Sequence, residues 1–159
     1  MSIDSSWLVR PLDRSDRERW TILFRGYAEF YERTLSEEQI ETVWQWIFEE
    51  SRMLAYVVTP SGEPDFPVGL AHLRTWIRPL RASVNGYLDD LFVEVAYRGS
   101  GAVDALLRAL ADLAESSGWS IIRWTTASDN VRAQTVYDRY ASRTTWVTYD
   151  MDSPLEFHE

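Results

Sequence analysis

The hydrophobic positions of this chain change period several times. "WLVRPL" (7–12) is a short apolar run closed by Pro11, the pattern of a first strand. Apolar residues then spread to helical spacing at Trp20, Leu23, Phe24, Tyr27 and Tyr31, and Ser15 with Glu18 reads as a capping box opening that helix. Ser36 with Gln39 repeats the device before a second stripe of Ile40, Val43, Trp44, Ile47 and Phe48. "MLAYVVT" (53–59), the turn cluster "PSGEPD" (60–65) and "FPVGLAHLRTW" (66–76) predict a hairpin. After a connection at 77–86, "YLDDLFVEV" (87–95) is the next strand. Leucines recur at helical spacing from about Ala102 to Ser117, "SIIRWTT" (120–126) is a strand, and "NVRAQTVYDRYA" (130–141) is a short helix. "TTWVTYDM" (144–151) reads as a last strand, and the final eight residues read as a loose tail.

The order is therefore β-α-α-β-β-β-α-β-α-β. It predicts an α/β (α+β) fold: a mixed, mostly antiparallel sheet with helices on its faces and a parallel crossover at the strand-helix-strand unit 87–126. With 159 residues and no internal repeat, the reading is one domain over 1–159, with its core at about 7–151.

Composition removes several chemistries. The absence of cysteine excludes disulfides, thiolate metal sites and a cysteine nucleophile, and the two histidines, His72 and His158, are too far apart in sequence to suggest a metal centre. All sixteen basic residues are arginine, so neither a Schiff base nor a Walker-type phosphate loop can be built. A net charge of −9 argues against nucleic acid and suits a cationic ligand. No apolar run is long enough to span a membrane and "MSIDSSWLVR" lacks the core of a signal peptide, so a cytoplasmic location is expected.

Two stretches carry candidate chemistry. In "VAYRGSGAVDALL" the glycines stand between a strand end and a helix start, where backbone N–H groups and the helix dipole make an anion site and Arg98 adds a fork suited to phosphate. A plain tight turn has the same composition. In "SDNVRAQTVYDRY" Asn130 stands at a helix start and Tyr137 two turns along the same face. Asn130 suits an N-cap and Tyr137 suits core filling, but a phenol is also a fitting acid for a departing thiolate.

At these stretches the sequence resembles the GNAT superfamily of acyl-CoA N-acetyltransferases. The family's loop pattern, Arg/Gln-x-x-Gly-x-Gly/Ala, falls on Arg98-Gly99-Ser100-Gly101-Ala102-Val103, and its Asn-x-x-Ala-x-x-x-Tyr pattern on Asn130 to Tyr137. "YLDDLFV" is similar to the "LEDLFV" strand of the polyamine acetyltransferases and of yeast Hpa2-type relatives. The resemblance covers about residues 7 to 151 and implies an acetyl-CoA-dependent N-acetyltransferase without a metal. It further implies that Leu91, Phe92 and Val93 offer backbone groups to the pantetheine arm and thioester. Gly99, Ser100, Gly101, Ala102, Val103 and Asp104 would hold the pyrophosphate, with Arg98 opening the loop and Asn130 and Ala133 on the cofactor side. Tyr137 would be the general acid and Asp89 the base. Asp90, Tyr27 and Tyr31 would line the acceptor side. The chain departs from the pattern at Val103, where a small residue is usual, and at Ala96 and Ala141-Ser142.

Adjacent strand residues point to opposite faces, so at most one of Asp89 and Asp90 is expected to face a cleft, the other facing elsewhere or sitting at a bulge. His72 reads as a structural residue. The expected reaction is direct transfer to the primary amine of a small molecule, polyamine-like or another cationic amine. Expected partners are that small molecule and, as a homodimer, a second copy of the chain. Transfer to a protein lysine or N-terminus, and an acyl-CoA-binding module without turnover, stay open.

Overall fold

Strands β1 (Trp7–Pro11), β2 (Leu54–Pro60), β3 (Gly69–Arg78), β4 (Ser83–Val93) and β5 (Ile122–Arg123) lie in that order in one sheet. They are seen in a computed structural model that describes residues 6–153. The first three junctions are antiparallel and β4–β5 is parallel, as the crossover predicted. The helices are α1 (Arg17–Phe30), α2 (Glu37–Phe48), α3 (Ala102–Ser116) and α4 (Val131–Tyr137). The chain divides into two units, Met1–Thr125, which holds the sheet with α1 to α3, and Thr126–Glu159, which holds α4.

Strand alternation sorts the side chains of the first unit onto two faces. Val57, Leu70 and Phe92 join Trp20, Leu23 and Phe24 of α1 and Ile40 and Trp44 of α2 in one core. Their immediate neighbours Val58, Ala71 and Val93 turn the other way, onto Ala102, Leu106 and Leu110 of α3. The amphipathic stripes are thus used as read except at Tyr31, which follows the end of α1 and is exposed.

Three local expectations are corrected. The first helix is not capped by a Ser15–Glu18 box. Asp13 accepts from the Ser15 N–H at 2.9 Å and Asp16 returns the bond to the Asp13 N–H at 2.8 Å, because a short 3-10 turn precedes α1. Asp16 can sit buried there because Arg10 holds both its oxygens, at 2.7 and 2.8 Å. The Ser36–Gln39 box is formed as expected.

The strand read at 120–126 pairs only at Ile122 and Arg123. Its start is pinned by Asn85, fully buried in β4, whose side-chain oxygen accepts from the Ser120 and Ile121 N–H groups at 2.9 and 3.1 Å. Next to it, Gly86 lies against the Trp119 ring, 2.7 Å from where a Cβ would stand, so only glycine lets the two strands close. The third correction is that residues 144–151 enter no strand among the described residues. Alternation marks a surface with two faces, but a strand also requires a neighbour for its N–H and C=O groups. The expected tail from residue 152 lies outside the described residues from 154 onward, as does His158.

Candidate active site

Past Tyr87, β4 and β5 are no longer paired, so residues 88–93 of β4 keep β3 on one side and no strand on the other among the described residues. On that side the backbone can meet an extended ligand in the manner of an added strand, apart from the Val93 carbonyl, which accepts from Arg98 Nε at 3.1 Å. Leu91, Phe92 and Val93 lie on this stretch. The side chains of Phe92 and Val93 are buried, one in each core, so their backbones are what they present.

Beyond Val93 a 3-10 turn (Val95–Tyr97) leads into the glycine loop and then α3. Gly99 and Gly101 have φ of 78° and 94°, the left-handed region that glycine adopts without strain. The loop is tied down by the Ser100 hydroxyl, which donates to the Tyr97 carbonyl at 2.5 Å, and by Trp7, whose indole N–H donates to the Ser100 carbonyl at 2.9 Å. Gly101 is the N-cap of α3 and brings no side chain to accept from the first-turn N–H groups of Ala102, Val103 and Asp104. A cap without an acceptor suits an external anion. A Cβ at Gly99 would meet nothing within 4 Å, so the loop has room for a ligand. Val103 packs against the α3-side core. Arg98 donates from Nε to the Val93 carbonyl at 3.1 Å and lies near the Phe30 and Phe92 rings, bracing the end of β4.

A cavity of about 420 Å³ in the first unit is lined by Phe24, Val43, Trp46, Met53, Arg52, Arg74, Asp89 and Asp90. Both aspartates face it, against the expectation that only one would. The register explains this: His72 pairs with Asp90 but Leu73 pairs with Leu88, so Asp89 is the extra residue of a β-bulge. The two carboxylates have different partners. Arg74 donates from Nε to both oxygens of Asp89, each at 3.1 Å. Burial pushes the Asp89 carboxyl above its usual value, with the Arg74 guanidinium opposing. Asp90 instead sits 2.8 Å from Nδ1 of His72, which is fully buried. The Tyr27 hydroxyl faces the Asp89 carbonyl oxygen at 3.5 Å and the Asp90 carboxylate. Burial and then the Asp90 charge push this phenol far up, so it stays protonated. Tyr31 is more exposed and packs edge-on against Tyr27 at the end of α1.

In the second unit Asn130 is the N-cap of α4, its side-chain oxygen accepting from the Ala133 N–H at 3.2 Å. Its capping role is thus realised. Tyr137 is the last residue of that helix and half-buried.

The strand edge left without a partner past Tyr87, the left-handed glycine loop capping a helix and a cavity walled by two aspartates and two arginines fit an acyltransferase of one class. The chain belongs to the acetyltransferase (GNAT) family, whose model matches residues 20–141. It is similar to the D-amino-acid N-acetyltransferase HPA3 of Saccharomyces cerevisiae, 24% identical over 142 residues that cover 89% of this chain and 88% of that protein. In structure it is similar to a probable acetyltransferase, with a TM-score of 0.81 at 20% identity over 91% of this chain and 97% of that one. It is also similar to AAC(6')-Iy in complex with the bisubstrate analog CoA-S-monomethyl-acetylneamine, with a TM-score of 0.76 at 14% identity over 92% and 97% of the two chains.

Six cavity residues were not read from the sequence: Phe24, Val43, Trp46, Arg52, Met53 and Arg74. Phe24 and Val43 hide in the amphipathic stripes. Trp46 offered a signal, being a large aromatic off the stripe of its helix, and Arg74 another, being a charge two residues beyond His72 on the same face of β3.

Gly101→Val should raise the dissociation constant for acetyl-CoA about 10-fold or more, the worth of a lost charge-assisted hydrogen bond. The variant also carries left-handed strain of about 1–2 kcal/mol. Gly118→Val, at a φ of 68° in open space at the other end of α3, supplies the same strain away from the loop. Calorimetry that finds equal affinity losses in the two variants refutes the phosphate assignment.

Proposed function

We propose that the chain transfers acetyl from acetyl-CoA to the primary amine of a small molecule that also carries a carboxylate, as a free amino acid does. The observation that carries this is the cavity wall, where two aspartates and two arginines stand around an apolar surface of Phe24, Val43, Trp46 and Met53. An ammonium suits Asp90. A carboxylate suits Arg74, whose Nε is engaged by Asp89 while its terminal nitrogens have no acceptor among the described residues. Arg52, paired with Glu50 at 2.5 Å, adds positive charge to the wall. The same two guanidiniums disfavour a polyamine, which brings only positive charge. A cavity of about 420 Å³ is within the range that encloses one small ligand. The yeast relative is a D-amino-acid N-acetyltransferase, which agrees with this class.

Gly99 to Asp104 would hold the pyrophosphate and the open edge at Leu91, Phe92 and Val93 the pantetheine arm. Bound acetyl-CoA supplies the thioester carbon that the amine attacks. The substrate ammonium brings three N–H bonds and the product amide keeps one, so two protons must leave. We assign the first to Asp90, which takes it before attack. The second replaces the proton that Tyr137 gives to the departing thiolate, and Asp90 returns the first to solvent. One proton is released overall. Asp89, held in the Arg74 fork, orients that guanidinium. Holding amine and thioester together supplies much of the rate.

The test is a panel in which thiol release is followed for an apolar α-amino acid, its methyl ester and spermidine. We expect the amino acid to exceed its ester by about 10- to 100-fold in kcat/KM, the worth of a hydrogen-bonded charge. Arg74→Gln should erase that preference by raising KM for the acid. Preference for spermidine, or for a peptide amine, would reject the amphoteric substrate in favour of a polyamine or protein acceptor.

A further inference from the structure

His72 is a titratable group that the mechanism above does not use, yet it is completely buried between two polar partners. One is Trp20, also fully buried, whose indole N–H points at His72 Nε2 at 2.9 Å. The other is Asp90, whose Oδ2 is 2.8 Å from Nδ1. An indole nitrogen can only donate, so Nε2 must carry a lone pair and accept. The ring proton is therefore on Nδ1, and Nδ1–H donates to Asp90. Phe24 and Trp20 pack against the imidazole, with ring centroids 5.1 and 5.9 Å away, so the ring has little freedom to turn.

We infer that Trp20, His72 and Asp90 form a fixed-tautomer chain in which His72 is a positioning residue: it aims the Asp90 carboxylate at the amine and never exchanges a proton with substrate. The inference rests on the reading that Asp90 receives the amine. The chain has a chemical logic. The groups facing Asp90 are His72 and Arg74 from β3, Tyr27 from α1, Asp89 from its own strand and Arg52 across the cavity. The nearest guanidinium is engaged by Asp89, and the partners given to Asp90 itself, an imidazole N–H and a phenol, are neutral. An arginine there would neutralise the carboxylate and take the place of the ammonium. A neutral donor fixes its direction and leaves its charge for the substrate. An imidazolium would defeat this, and the indole N–H at Nε2 opposes it because a protonated Nε2 would confront another donor.

Two measurements test the chain. The first uses the unmodified protein without substrate: long-range proton–nitrogen NMR of the two imidazoles, with His158→Gln identifying the other histidine. We expect His72 to show a protonated Nδ1 and an unprotonated Nε2. An Nε2–H tautomer overturns the chain. The second compares His72→Asn with His72→Gln. The asparagine amide stands where Nδ1 was and can still donate to Asp90, whereas the glutamine amide reaches towards Trp20. Asn should keep kcat/KM within about 3-fold of the parent, and Gln should lose roughly 10- to 100-fold, the worth of one hydrogen bond to a charged group. If activity instead follows melting temperature in the two variants, His72 is only core and the inference is wrong. A parent protein that acetylates no amine in the panel would overturn the reading beneath the inference, an outcome the NMR experiment distinguishes because it requires no turnover.

Discussion

Asp90→Asn should lower kcat/KM for the amine by about 10²- to 10³-fold near neutral pH, within the range of general base catalysis. The substitution keeps shape, and the new side-chain oxygen can still accept from His72 Nδ1–H, so melting temperature and acetyl-CoA affinity should stay close to the parent's. The defect has a pH signature whose sign follows from the substrate. The amine arrives as ammonium below its own pKa, and without a carboxylate only the free-amine fraction can attack. That fraction rises tenfold per pH unit until the amine's pKa is reached. The variant should therefore be worst at low pH and gain on the parent as pH rises. Asp89→Asn, which loses the partner of Arg74 rather than the proposed base, should raise KM for the carboxylate-bearing substrate and leave this pH signature absent. A parallel profile for Asp90→Asn, with the convergence found in Asp89→Asn, would return the base to Asp89, where the sequence had suggested it.

Tyr137→Phe should reduce kcat by about 10²-fold, the low end for a general acid, because a thiolate is only moderately basic and leaves with some ease unaided. Ring volume is retained at the end of α4, so melting and acetyl-CoA binding should change little. Three readings separate on this one variant. An acid loses turnover alone. A structural tyrosine loses melting temperature with near-normal kcat. A binding module without chemistry has no turnover to lose, in parent or variant. The comparison is cleanest with a substrate analog carrying a better leaving thiol, which should recover much of the lost rate if the hydroxyl protonates sulfur.

How much of this was visible in the sequence depends on the kind of feature. Residues 98–104 were legible because a left-handed backbone leaves a chemical trace: glycine at 99 and 101 is what those φ values require. The stripes of α1 and α2 were legible because burial imposes period, and the Ser36–Gln39 cap because it is local. The start of α1 was misplaced by a few residues since Asp13, Ser15, Asp16 and Glu18 offer overlapping capping patterns, and only the ion pair from Arg10 to Asp16 favours one. The bulge at Asp89 left no trace. An inserted residue alters register against a partner strand, which a single strand's alternation does not record, and so the sharing of one cavity by both aspartates was hidden. The same holds for residues 144–151, whose alternation is strand-like but whose ladder is absent among the described residues. His72 was read as structural and is fully buried, but its tautomer depends on Trp20, fifty-two positions away.

The clasp of Asn85 and Gly86 against Ser120, Ile121 and Trp119 fixes where β4 and β5 part company. Because it is made of hydrogen bonds from the Ser120 and Ile121 N–H groups to the Asn85 side chain and of a ring seated on a glycine, it is assembled as the chain folds. The fork between the strands is therefore set by contacts within the first unit. Whatever threads into it meets a receptor that has given up its conformational freedom beforehand, so encounter should be limited by the entrant finding its path and not by the protein rearranging to admit it.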